Sequence, residues 1–257
     1  MDTRIGVIFR PDFRPDGLRG VARAAEAAGV DELWLWEDCF QQGGIAQAAV
    51  ALAYTDRLGV GVGLIPAPLR NVTTAAMEFA TLDAMFPGRT RIAVGHGVQS
   101  WMHQAGAAVA SPMTLLREYV TALRELLAGR TVTVEGRYVR LSDVRLEFPP
   151  AQPMPVLIGG TGPKTLRLAG EIADGVVLDA QYTPVTVRDA LAHVAVGRAK
   201  STVAAPFSTV LFAVGDSGLQ AFLDAGVDSL ALQPTGPLEG MGEFIAAAGQ
   251  ATRRLKG

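Results

Sequence analysis

Cysteine occurs once in these 257 residues, as Cys39, so no internal disulfide can form. The three histidines, His96, His103 and His193, add no paired spacing for a metal ion. A reducing, cytoplasmic compartment is the expectation. Charge is scarce as well: charged residues make up 19% of the chain, and 23 basic against 25 acidic side chains leave a net charge of −2. No basic field is available for a phosphate backbone or an anionic lipid surface, which argues against nucleic-acid and membrane partners. Long apolar runs are missing too. Stretches such as Ala46 to Tyr54 stop at charged or glycine positions, well short of the roughly 18 residues that span a bilayer. The opening MDTRIGVIFR enters a strand-like run without a basic-then-apolar leader.

Several reaction signatures are also absent: the Gly-x-Ser-x-Gly elbow, His-Glu-x-x-His, a Walker sequence, and a dinucleotide glycine signature after the first strand. A reaction in this chain would therefore draw on an organic cofactor.

What is present is a large apolar fraction, 49%, enough for a substantial core. Its periodicity alternates short β-branched runs with longer amphipathic ones. Strands are predicted at Arg4 to Phe9, Glu32 to Trp36, Leu58 to Ile65, Thr90 to Gly95, Val156 to Gly159, Gly175 to Leu178, Phe207 to Ala213 and Ser229 to Leu232. Helices are predicted at Pro15 to Ala28, Ile45 to Asp56, Thr73 to Phe86, Thr114 to Ala128, Pro163 to Ala173, Val185 to Ala199, Gly218 to Ala225 and Glu239 to Leu255. Eight strand-helix units in sequence suit a (β/α)8 TIM barrel, an α/β fold occupying residues 1–257 as one domain. A doubly wound open sheet is the alternative, because periodicity does not show whether the edge strands meet. One stretch breaks the rhythm: Arg130 to Glu147 alternates with period two around Glu135-Gly136 and reads as a hairpin on the barrel's outside, after the fourth helix.

In such a barrel the reacting groups stand on the loops after the carboxyl ends of the strands. Gly160-Thr161-Gly162-Pro163-Lys164 follows the fifth strand. Its glycines, free N–H groups and adjacent lysine suit either a phosphate cradle or a plain glycine-rich helix start. Glu37 and Asp38, after the second strand, are an acid/base pair or caps, since adjacent residues leaving a strand point in different directions. Cys39 has no histidine nearby in sequence to activate it. His96 either contacts a ligand or bonds backbone, and Trp101 either walls a pocket or packs in the ordinary way. Phe40 and Gln181 are further candidates for the pocket lining.

Four blocks in order carry a resemblance: AEAAGVDELWLWEDCF (Ala25 to Phe40), the run from Arg57 to Gly97 containing RLGVGVGLIP and MFPGRTRIAVGHG, LLREYVTALRELLAGRTVTVEGRYVRL (Leu115 to Leu141), and PVLIGGTGPKTLRLAGEIADGVVL (Pro155 to Leu178). Together they resemble the luciferase-like superfamily of flavin- and deazaflavin-dependent oxidoreductases. Within it, Gly162-Pro163-Lys164 followed by LAGEIADG is more similar to the coenzyme F420 branch than to the FMN monooxygenases. The resemblance implies that residues 160–164 hold the coenzyme phosphate. It also implies that Val62 and Gly63 form a bulge, often with a non-prolyl cis bond, behind the ring.

Members that oxidise alcohols carry an Asp-His-Phe-like sequence where this chain has Asp38-Cys39-Phe40, and an acid where it has Val98. These departures weigh against a His-assisted alcohol oxidation. They favour reduction of an activated double bond or imine, with Asp38 or solvent completing the addition. The resemblance leaves an FMN-dependent monooxygenase using O2, or a flavin-binding protein without turnover, as alternatives. It also implies a small-molecule substrate and a homodimer. The long insertion near strand 7 that members use to cover the substrate has little room here.

Overall fold

A computed structural model describes residues 3–256. In chain order the elements are β1 (Arg4–Phe9), α1 (Leu18–Ala28), β2 (Glu32–Leu35), α2 (Gly44–Ala53), β3 (Gly59–Pro66), α3 (Val72–Met85), β4 (Thr90–Gly95), α4 (Gln99–Gln104), α5 (Pro112–Leu127), β5 (Val132–Glu135) and β6 (Arg140–Val144). They continue with β7 (Val156–Gly159), α6 (Pro163–Ile172), β8 (Gly175–Leu178), α7 (Pro184–Arg198), β9 (Ser208–Val214), α8 (Leu219–Leu223), β10 (Ser229–Gln233) and α9 (Met241–Lys256). Eight parallel strands close in the order β1-β10-β9-β8-β7-β4-β3-β2. The closing pair runs in register from Arg4 opposite Ser229 to Val7 opposite Leu232. The fold is therefore the (β/α)8 barrel that the alternation predicts, and the open sheet is excluded.

The expected hairpin is β5 and β6, with Glu135 opposite Arg140. It is fastened to α5 by the Glu118 carboxylate, which accepts the backbone N–H groups of Arg137, Tyr138 and Val139 at 2.9, 2.8 and 3.0 Å. The short α4 was not predicted, since six residues are too few to show a 3.6-residue period.

Two apolar layers result. The larger lies between strands and helices, and the smaller fills the barrel with Ile8, Trp34, Ala93, Leu157, Val177, Val210, Phe212 and Ala231. Trp34 is wholly buried. A Cβ at Gly61 would lie 2.4 Å from its ring, so the neighbouring strand can carry only glycine there.

Below Trp34 sits Glu32, 1% exposed. Arg4 and Arg91 donate to its Oε1 at 3.0 and 2.8 Å, while Trp34 Nε1 and Ser229 Oγ donate to Oε2 at 2.9 and 3.1 Å. Burial opposes the charge, but Arg91, the Trp34 N–H and Arg4 outweigh it and hold the carboxyl below its usual range. A cavity of about 740 Å3 opens at this amino end of the barrel. Its guanidiniums are already matched, Arg4 and Arg91 to Glu32 and Arg124 to Asp174. This end is a structural floor.

Replacing Glu32 by alanine strands Arg91 beside an apolar interior. We expect Glu32→Ala to lower the unfolding free energy by about 3–5 kcal/mol, as for other broken buried pairs, read as a drop in the denaturant midpoint at neutral pH.

Candidate functional site

At the opposite end the inward rows of the strands surface. Along the second strand the alternation Glu32, Trp34, Trp36 points into the barrel. Trp36 lies just beyond β2 and rests against Phe212 with ring centroids 5.6 Å apart. Its Nε1 is buried and has no partner. The sequence reading placed Trp36 inside the strand and gave it no role, although the period-two row would have identified it as interior.

Beside Trp36 stands Leu64. The peptide between Gly63 and Leu64 is cis, and the β3–β4 register shifts between Gly63 and Ile65. The bulge is thus present but lies one residue later than Val62-Gly63. Val62 is fully buried on the helix side, where a Cβ on Gly44 would come within 2.7 Å of it. Val62 therefore supports α2 and does not line the mouth. Leu64 leans over Gly95 and Gly159, whose added Cβ atoms would lie 3.0 and 2.3 Å from its side chain. Those two glycines make room for the Leu64 side chain, which lies across the tops of β4 and β7.

The cradle follows β7. Helix α6 starts at Pro163 behind Gly162, with no side-chain cap and no acidic residue in its first turn. Its first N–H groups and the positive end of the helix dipole are left for an anion. Gly160 is required sterically, since a Cβ there would meet Thr165 Cγ2 at 2.6 Å, whereas nothing lies within 4 Å of a Cβ on Gly162. Thr161, Gly162, Pro163 and Lys164 are all exposed. Among the described residues no carboxylate forms an ion pair with Lys164. Tyr182 contributes an unforeseen contact, its hydroxyl donating to the Thr161 carbonyl at 3.2 Å.

His96 joins this cradle to the mouth. Its Nε2 lies 3.0 Å from Thr165 Oγ1, and its Nδ1 is buried without a hydrogen-bond partner. Burial lowers its pKa, and the nearby Pro112 carbonyl offsets this only in part, so the ring is neutral. The His96 imidazole after β4 and the Trp36 indole after β2 thus each hold one buried nitrogen without a partner at this end of the barrel. Buried polar groups without partners are costly, and a bound ligand is a direct way to satisfy them.

The acids after β2 diverge as neighbours should. Glu37 turns outward: its Oε1 takes Arg70 Nη1 at 2.7 Å, its Oε2 takes the Gly44 N–H at 2.9 Å, and Arg70 also reaches Glu78 at 3.1 Å. Glu37 is a clamp on α2, which leaves Asp38 as the acid of the pair. Asp38 is half-buried, and burial first, then the charge of Asp12, raise its pKa. Asp12 is itself held by Arg10, which also donates to the carbonyl of Pro234 at 3.3 Å. Cys39 is 9% exposed, and burial together with Asp38 and Glu37 pushes its thiol up. A thiol held protonated is a poor nucleophile. Phe40 adopts a left-handed backbone, φ 70°, and is 70% exposed. Trp101 is half-buried on α4, and Gln181 bonds Asp179 just past β8, with Nε2 3.2 Å from Oδ2.

The links above the barrel are short. Only residues 215–218 join β9 to α8, so no long insertion covers the mouth after that strand.

Comparison with known proteins sets this geometry in context. A sequence profile described as luciferase-like monooxygenase matches residues 3–221. A 5,10-methylenetetrahydromethanopterin reductase of Methanolobus tindarius is 28% identical over 196 residues, 76% of this chain and 60% of that protein. An F420-dependent glucose-6-phosphate dehydrogenase of Nakamurella multipartita is 34% identical over 194 residues, 70% of this chain and 56% of that protein. The chain thus spans less than two thirds of the length of these relatives. Among solved structures, an F420-dependent secondary alcohol dehydrogenase in complex with an F420-acetone adduct superimposes with a TM-score of 0.86 at 20% identity, covering 98% of this chain and 100% of the other. That likeness supports the fold. With the profile spanning most of its length, the chain belongs to the luciferase-like monooxygenase family.

Proposed function

We propose that this protein is an oxidoreductase that binds coenzyme F420 across the barrel mouth and adds hydrogen to an activated C=C or C=N bond of a small organic substrate. The observation that carries the reading is the uncapped, unclaimed start of α6, to which His96 is joined through Thr165 and beside which the His96 Nδ1 is left without a partner. The F420-dependent relative of Nakamurella multipartita supports the choice of coenzyme.

Residues 160–164 would take the phosphate through backbone N–H groups and the Lys164 ammonium. Gly63, Leu64, Gly95 and Gly159 would supply the bed for the ring, with His96 at its edge. When bound in its reduced form, the deazaflavin supplies a hydride to carbon. Asp38 gives the accompanying proton to the neighbouring atom and is reprotonated from water, so that one hydride and one proton complete the added hydrogen. A carboxyl kept above its ordinary range by burial and by Asp12 remains a usable acid at higher pH. Alcohol oxidation would instead call for a base, and the buried, protonated Cys39 does not provide one.

Titration with F420, followed by fluorescence and calorimetry, tests the cradle. Lys164→Ala is expected to weaken binding about 10- to 100-fold, the range for a lost charged hydrogen bond. Gly162→Asp, which places a negative charge where open space surrounds the position, should abolish binding while leaving the thermal midpoint unchanged. Unaltered affinity in both variants, or tight binding of FMN in place of F420, overturns the reading.

The rate of reduction should fall as pH rises through the raised pKa of Asp38, because the acid form is the donor. Asp12→Asn removes a repelling charge, so that alkaline limb should move to lower pH, and Asp38→Asn should erase it. The pH dependence of kcat/KM is the measurement.

A further inference from the structure

The loops at the carboxyl ends of the strands hold few cations, and the arginines among them are already engaged. Arg10 is paired with Asp12, Arg14 with Asp16, and Arg70 with Glu37 and Glu78. Among the described residues, Lys164 is the cation at the mouth without a carboxylate partner, and it stands on the phosphate cradle. Arg137 and Arg140 belong to the hairpin outside the ring of strands. Once the coenzyme phosphate takes Lys164, no unpaired cation remains on the loops themselves; Arg167 and Arg188, also without carboxylate partners, lie about a turn further along α6 and α7.

Acids without a cationic partner do remain. Asp38 is half-buried after β2, and Asp179, just past β8, is bonded to the neutral amide of Gln181. An anionic substrate would meet the charge of Asp179, and that of Asp38 once its proton is given up, with no compensating cation on the loops, an arrangement that rejects a ligand as strongly as attraction selects one.

The rest of the opening is apolar. Phe40 is 70% exposed, Val98 48% and Val214 52%. Val214 ends β9 on the inward row of Val210 and Phe212, so it continues the barrel's apolar lining into the mouth. Val98 begins the short α4 beside His96. Exposed apolar side chains gathered at a binding opening mark the character of what docks there.

We propose that the substrate taken at this mouth is an uncharged, apolar acceptor, and that phosphorylated or carboxylated compounds are refused. This rests on the coenzyme assignment above and sets the chain apart from a relative that acts on glucose 6-phosphate.

A matched pair tests it: 3-hexylcyclohex-2-enone and the enone bearing a terminal carboxylate on the same chain, with glucose 6-phosphate as a third probe. Dissociation constants are measured by ligand-observed NMR and calorimetry, on the protein loaded with F420 and on the free protein. The neutral enone should bind about 30-fold or more tightly than its carboxylate at low salt, and glucose 6-phosphate should not compete. Val98→Lys and Val214→Lys should each improve carboxylate binding by about tenfold and leave the neutral enone little changed. Equal or tighter binding of either anion to the unaltered protein, or no binding of the neutral enone, overturns the proposal. Failure of F420 to bind overturns the coenzyme assignment alone, since the enone pair is still compared on the free protein.

Discussion

The indole of Trp34 sets the terms for everything above and below it. It stands on the barrel axis with no exposure, and its N–H is tied to Glu32 beneath. Its ring leaves room only for glycine at position 61 of the neighbouring strand, and Phe212 meets it edge-on at 5.4 Å. Phe212 in turn supports Trp36. One large side chain thus divides the cylinder into a charged floor and a polar-and-aromatic mouth. The division is steric, because a close-packed interior leaves no continuous passage between the two ends.

The mouth is electrically divided as well. The cradle follows β7, while Asp12 and Asp38 follow β1 and β2 on the far side of the closed ring. Helix α6 offers positive charge at one pole, and at the other stand Asp12, paired with Arg10, and Asp38, which has no cationic partner. A long, anionic-tailed ligand of the kind proposed would be oriented before any specific contact is made, because only one end of it is attracted to the start of α6. His96 links the two features through Thr165, so the position of the imidazole is coupled to the start of the helix that carries the cradle.

The barrel was legible because its signal is long and repeated: most strands are followed by a helix of several turns, and errors at single boundaries do not alter the count. The candidate cradle at residues 160–164 was legible as a glycine-rich helix start, and the structure shows that start uncapped. Side-chain roles were harder to read. Glu37 and Asp38 are neighbours of the same chemical type, and only the position of Arg70, a remote residue in sequence, distinguishes clamp from acid. The bulge lies one residue beyond the Val62-Gly63 that the family resemblance implies, and the fold assigns Leu64, not Val62, to the mouth. Trp36 was overlooked because an aromatic at a strand end reads as core; its unpaired nitrogen appears only in three dimensions.

The four-residue link from β9 to α8 begins and ends in left-handed glycines, Gly215 at φ 71° and Gly218 at φ 68°. Each doubling of a flexible loop's length adds only about 0.6 kcal/mol of closure entropy. A roof could therefore be grafted at this hinge-like seam with little disturbance to the cylinder below. The bare barrel is in that sense a chassis, and the selectivity of its descendants could be rewritten by what is added between residues 214 and 219, without touching the strands.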